Sequence, residues 1–122
     1  MKNDISPPRR TLDKTNIIYE YTCSMKDCCL LPSNNKYIGL TTCTLSRRLT
    51  YHLQNGSIKK HHEYQCKNSN LNRTKIVENT KIRYQINDFK KLGIMESILI
   101  KFEKPKINDQ DTGNHRILQL CG

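Results

Sequence analysis

Apolar and polar positions along the chain predict three strands and two principal helices. Residues 16–22 (Asn-Ile-Ile-Tyr-Glu-Tyr-Thr) are dense in β-branched and aromatic side chains, which suit a pleated surface and predict a first strand ending at Cys23. Residues 24–35 carry Cys28, Cys29, Pro32 and Asn34-Asn35 and predict a loop. Residues 36–40 resume as a second strand, so a long hairpin is expected, with Gly39 letting the backbone leave the sheet or approach a ligand closely. A helix capped by Thr42 or Thr44 then runs to about residue 54, burying Leu45, Leu49 and Leu53 at a spacing of four, and Asn55-Gly56-Ser57 ends it. Residues 58–80 are weakly patterned and predict only a short helix or irregular loop. Residues 81–87 alternate, with Ile82, Tyr84 and Ile86 expected to point inward. A last helix is expected over 94–103, with Met95, Ile98, Leu99 and Phe102 toward the core and a stop before Pro105. Residues 1–15 predict a flexible basic arm, 16–110 one compact domain, and 111–122 a tail.

Charge adds a partner to this outline. Lys and Arg number 21 against 11 Asp and Glu, a net charge of +10, and no acidic residue occurs between Leu30 and His62. Unbroken positive potential attracts polyanions through counterion release, which points to nucleic acid; a merely solubilising basic surface explains the charge nearly as well. No apolar run approaches the roughly 20 residues of a membrane helix, and Met1-Lys2-Asn3-Asp4 lacks the apolar stretch of a secretory signal, so an intracellular protein without a membrane partner is expected. At 122 residues the chain has room for one core and one site, and a dimer is compatible with it.

Within that outline a few residues carry chemistry. Arg48 and His52 lie four apart on the first helix, with Tyr51 three from Arg48, on a face expected to differ from the leucine stripe. A guanidinium presents a planar fork of donors that matches phosphate oxygens and can offset charge growing in a transition state. Glu96 is the only acid between Asp88 and Glu103, and a carboxylate there can hold Mg²⁺ or Mn²⁺; Glu103 is a rival ligand, and a first-turn Glu serving the helix dipole is the plainer explanation. Tyr19 and Tyr37 fall on the paired strands, where their hydroxyls can converge beside the arginine helix, although tyrosines in strands ordinarily pack.

The ordered set Ile17-Ile18-Tyr19, Tyr37-Ile38-Gly39, Leu45-x-x-Arg48-x-x-x-His52, Glu96 and Lys104-Pro105-Lys106-Ile107-Asn108 resembles the GIY-YIG nuclease superfamily over about residues 16–110. The resemblance implies an α+β fold, a small sheet of three antiparallel strands flanked by helices, cutting DNA with one divalent ion. It implies Tyr19 as general base or water-orienting group, Tyr37 as its partner, Arg48 as phosphate clamp and Glu96 as metal ligand. His61 matches a position that assists proton transfer in some members. Gly39, Arg47, His52 and Asn108 are the expected substrate contacts, Asn108 alternatively serving the framework. Two departures stand out: Ile17 replaces the first motif's glycine, and the hairpin carries an insert with Cys23, Cys28 and Cys29.

Six cysteines in so short a chain suggest disulfides if it is exported, and metal ligation or thiols otherwise. Cys23 and Cys28, with Cys29 as an alternative, precede the second motif, and His61-His62-x-x-x-Cys66 follows the helix. Two ligands from each group, for instance Cys23, Cys28, His62 and Cys66, can close a tetrahedral Zn²⁺ site, as in the variant domains of Penelope-like retroelements that the pattern resembles; reduced thiols are an equal alternative. The leading expectation is a metal-dependent DNA endonuclease in a mobile-element, repair or restriction setting, nuclear in a eukaryote. The runner-up is a non-catalytic zinc-stabilised nucleic-acid-binding module, and a disulfide-stapled secreted basic peptide comes third.

Overall fold

The structure, a computed structural model, describes residues 9–24, 34–66 and 71–110. Three strands, β1 (Ile17–Thr22), β2 (Lys36–Thr41) and β3 (Thr80–Gln85), form one antiparallel sheet in the order β2-β1-β3. Helices flank it, so the fold is the expected small α+β arrangement. These are α1 (Arg9–Leu12), α2 (Leu45–Gln54), α3 (Gly56–Lys60), α4 (Arg73–Glu78) and α5 (Phe89–Glu103). A wide turn of π type covers His61–Gln65 and a 3₁₀ turn covers Lys106–Gln110.

β1 takes the centre because both of its faces can be buried. Ile17, Ile18 and Tyr19 are each 0% exposed, and the two-residue period divides them between two cores. Ile17, Tyr19, Tyr21 and Cys23 join Leu45 and Leu49 of α2, Ile58 of α3, Ile76 and Val77 of α4 and Ile107 on one face. Ile18 joins Ile38, Leu40, Leu92 and Leu99 on the other, beneath α5. Each fully buried Ile or Leu contributes about 1.5–3 kcal/mol relative to exposure, so these two clusters are the main apolar stabilisation of the sheet. β2 is an edge strand, and Asn108 covers part of that edge: Ile38 N–H donates to Asn108 Oδ1 and Asn108 Nδ2 donates to the Ile38 carbonyl, both at 2.9 Å.

Five expectations need correction. The alternation over Ile82, Tyr84 and Ile86 does not send all three inward, because the β1–β3 register shifts between Ile18 and Tyr19. Ile82 faces Tyr19, whereas Tyr84 faces Ile18 and is 42% exposed. A bulge moves later residues to the opposite face, which a strict two-residue period cannot register. The last helix starts earlier, at Phe89, because the Asp88 side chain accepts from the backbone N–H groups of Lys90 and Lys91 and caps it.

Its inward stripe is Leu92, Glu96 and Leu99, with Met95 packed partly against it, while Ile98 and Phe102 lie exposed with Ile94 on the outer face. Ile94 and Ile98 are two residues from Glu96, about 200° around the helix, so they face outward when Leu92, Glu96 and Leu99 face the sheet. On α2, Arg48 and His52 are buried alongside Leu45 and Leu49 on one continuous face, not on a separate one. Finally, residues 9–15 are not an arm: α1 sits on α2, Leu12 packs against the first core, and the Leu45 N–H donates to the Lys14 carbonyl at 3.0 Å.

The end of the sheet beneath the α5 C-terminus is held by charge. Arg83 binds Glu20 through Nη1 at 2.5 Å and Glu103 through Nη2 at 2.8 Å, and Lys36 lies within 4 Å of both carboxylates. The Arg83 hydrogen bonds hold the Glu103 carboxyl below its ordinary range. Glu103 is therefore committed to an ion-pair network.

Candidate functional site

Tyr19 lies opposite Gly39 in the β1–β2 register, and this pairing shapes the site. A Cβ at Gly39 would stand 2.7 Å from the Tyr19 hydroxyl oxygen and 2.8 Å from a ring carbon of Tyr37. Only a missing side chain lets the Tyr19 ring cross β2 and meet Tyr37, their ring centroids 6.2 Å apart. Gly39→Ala is therefore expected to displace both tyrosines, seen as a changed tyrosine signal in near-ultraviolet circular dichroism while the far-ultraviolet spectrum keeps its shape.

α2 brings the other half. Thr44 caps it, accepting from the Arg47 N–H at 3.2 Å, and this phase turns Arg48 and His52 toward the sheet. Arg48 Nε donates to the Tyr19 hydroxyl at 3.3 Å, and the same hydroxyl lies 2.6 Å from His52 Nε2. The Arg48 guanidinium also lies 4.4 Å from the centroid of the Tyr51 ring. Burial alone disfavours its charge, but Tyr19, Tyr37 and Tyr51 hold its pKa above the ordinary guanidinium value. The His52 ring packs edge-on against Tyr37 at 5.1 Å.

Burial governs the protonation states. It pushes the Tyr19 hydroxyl up to about 12 against the lowering effect of Arg48, with the charge of Glu96 adding to the rise and a hydrogen bond from Tyr37 opposing it. Burial, reinforced by Arg48, holds His52 well below the usual histidine range, so its ring is neutral. Glu96 is 2% exposed on α5 and reaches Tyr19 as a charge. Tyr19, Tyr37, Arg48, His52 and Glu96 are thus gathered at the β2 edge of the sheet, all buried. Asn108 uses its amide on the Ile38 backbone and holds the strand between Tyr37 and Gly39. Arg47 is exposed on the outer side of α2.

A second cluster stands just past the end of β1, four residues on from Tyr19. Cys23, His61, His62 and Cys66 are all buried, and one ligand atom from each lies within 4.8 Å of every other. Cys23 and Cys66 sulfurs are 3.7 Å apart. Two thiolates bound at about 2.3 Å to one tetrahedral ion stand about 3.8 Å apart, so the pair already has the spacing of a metal edge. Burial, with the nearby His61 and Lys75, lowers the His62 pKa to about 4 and leaves its ring neutral, the form that binds a metal.

His61 belongs to this cluster rather than to the tyrosine site, because the wide turn at His61–Gln65 places consecutive histidines side by side, ring centroids 5.0 Å apart. Cys28, expected as a ligand, lies outside the described residues. Tyr21 was not singled out in the sequence. Its hydroxyl meets His62 Nε2 at 2.8 Å, and its place two residues after Tyr19 on the same strand face was the available signal. Cys43, between β2 and α2, is disulfide-bonded, contrary to the expectation of metal ligation or a thiol.

No protein-family model matches the chain, and no significant match exists among curated proteins or solved structures. Among the described residues no helix is long and apolar enough to cross a membrane.

Proposed function

We propose that this chain is a metal-dependent DNA endonuclease of GIY-YIG type, hydrolysing phosphodiester bonds. The observation that carries this is the Tyr19 hydroxyl held at once by Arg48 and His52, with Tyr37 and the buried charge of Glu96 beside it. A phenol with so high a pKa cannot serve as a base by staying ionised at neutral pH. It serves by relay: Tyr19 takes a proton from the attacking water while its own O–H proton passes to His52 Nε2. The oxygen of that water bonds to phosphorus, the bond from phosphorus to the 3′ oxygen breaks, and the leaving oxygen takes a proton from solvent. Arg48, charged at working pH, faces the phosphate oxygens and stabilises the charge they gain.

Glu96 fits the ligand requirement for Mg²⁺ or Mn²⁺, which need few protein carboxylates and keep several waters; Glu20 and Glu103 are committed to Arg83. A divalent ion bound there supplies Lewis-acid stabilisation of the leaving oxygen. The basic, acid-free stretch around α2 is the surface along which DNA would run, and a nuclear location in a eukaryote accords with that partner. We assign Cys23, His61, His62 and Cys66 to one structural Zn²⁺, bracing the end of β1 against the turn after α3.

One observation favours a second reading. Tyr19 is 0% and Glu96 2% exposed, so a phosphate reaches them only when the cover over the β2 edge moves; a non-catalytic, zinc-stabilised nucleic-acid-binding module needs no such opening. Supercoiled plasmid separates the two. Nicking in Mg²⁺ or Mn²⁺ that stops when EDTA is added is expected; retardation of the plasmid in gels without cleavage in any metal supports the binding module instead.

A further inference from the structure

His52 Nδ1 and the Ser57 hydroxyl are two buried polar atoms without a hydrogen-bond partner among the described residues. Both flank Gly56, the residue whose φ of +87° turns the chain from α2 into α3. A Cβ at Gly56 would stand 3.7 Å from His52 Nδ1, so this nitrogen faces the turn that leads directly into Ser57. His52 is 1% and Ser57 1% exposed, which leaves neither group bulk water to satisfy it. Two unsatisfied polar groups on one buried turn suit a single bound water that partners both.

We propose that Ser57 is a positioning residue for His52: its hydroxyl, through one bound water, holds the Nδ1–H and so fixes the tautomer whose Nε2 faces the Tyr19 hydroxyl as an acceptor. The inference rests on the nuclease reading only for its kinetic consequence. An imidazole carries one ring proton when neutral, and the two nitrogens cannot both be acceptors at that charge. With the proton on Nδ1, the Nε2 lone pair receives the Tyr19 proton. With it on Nε2, His52 donates to Tyr19 and the relay has no acceptor.

Arg48, which shares the Tyr19 hydroxyl with His52, opposes a lasting imidazolium there. The ring returns to neutrality when its Nε2 proton goes back to the Tyr19 oxygen as that oxygen releases the water's proton to solvent, so Nδ1 keeps its proton throughout.

The test is ¹⁵N NMR of the imidazole nitrogens of His52 in the full chain, comparing the parent with Ser57→Ala and Ser57→Thr. In the parent, Nδ1 is expected to be the protonated nitrogen and Nε2 the bare one. Ser57→Ala is expected to move the population toward protonated Nε2, with Ser57→Thr restoring the parent pattern. In plasmid nicking, Ser57→Ala is expected to lower kcat about tenfold with KM unchanged. A parent spectrum with the proton on Nε2, or a Ser57→Ala spectrum identical to the parent's, overturns the proposal. Because the spectrum does not depend on cleavage, a chain that cuts no DNA but shows the expected tautomer shift overturns the nuclease reading and leaves Ser57 in its place.

Discussion

Arg48→Ala is expected to slow plasmid nicking by about a hundred- to a thousandfold, the usual cost of deleting one preorganised group that meets developing charge. Arg48 is well placed for that loss to be large. It is buried, so its field is weakly screened, and its Nε–H helps hold the Tyr19 hydroxyl in the orientation that hands a proton to His52. Two functions therefore fail together. Arg48→Lys is expected to recover little, because an ammonium offers neither the planar fork nor the stacking on Tyr51 at 4.4 Å.

Glu96→Gln should be at least as severe, and its signature differs. It keeps the shape and removes the charge, so raising the Mg²⁺ or Mn²⁺ concentration should not restore cutting. If Arg48→Ala and Glu96→Gln both nick plasmid at the parent rate while remaining folded, the catalytic assignment is wrong.

Withdrawing metal from Cys23, His61, His62 and Cys66 is expected to have the largest effect on stability. The four come from just past the end of β1 and from one turn beyond α3, so an ion held by them would join segments far apart in sequence. Structural zinc in small domains contributes on the order of 10 kcal/mol of apparent folding free energy. A loss of only about 3 kcal/mol lowers the melting temperature of a domain this size by about 10 °C or more. Cys66→Ser, or a strong chelator added to the parent, should therefore lower the thermal midpoint by at least that much. Native mass spectrometry should show one zinc in the parent and none in Cys66→Ser. A parent that carries no metal and melts unchanged in chelator would remove zinc from the account.

Much of the frame was legible in residue pattern. The hairpin and the helix after Thr44 follow from β-branched density, a cap and a leucine period, all of them local signals. The gathering of Tyr19, Tyr37, Arg48 and His52 was legible only as a set, since each alone is an ordinary packing or surface residue. What escaped depended on contacts made by distant parts. The β3 bulge is set by pairing with β1 and has no mark in residues 81–87. Ile98 and Phe102 are as apolar as any core residue, and only the docking of Leu92 and Leu99 turns them outward. The grouping of His61 with His62 needed the wide turn, and consecutive histidines on an ordinary helix would have pointed about 100° apart.

β1 carries Tyr19, Tyr21 and Cys23 on one face at a strict two-residue interval, so the proton relay and the metal cluster are written on one ruler. Deleting Glu20 would keep every cluster ligand and every hydroxyl in the chain yet turn one of the two groups to the α5 side of the sheet. Substitutions can tune either group alone, but changes of length in this strand cannot. Homologous chains that keep both groups should therefore vary freely in the insert after Cys23 and hold a constant spacing from Tyr19 to Cys23.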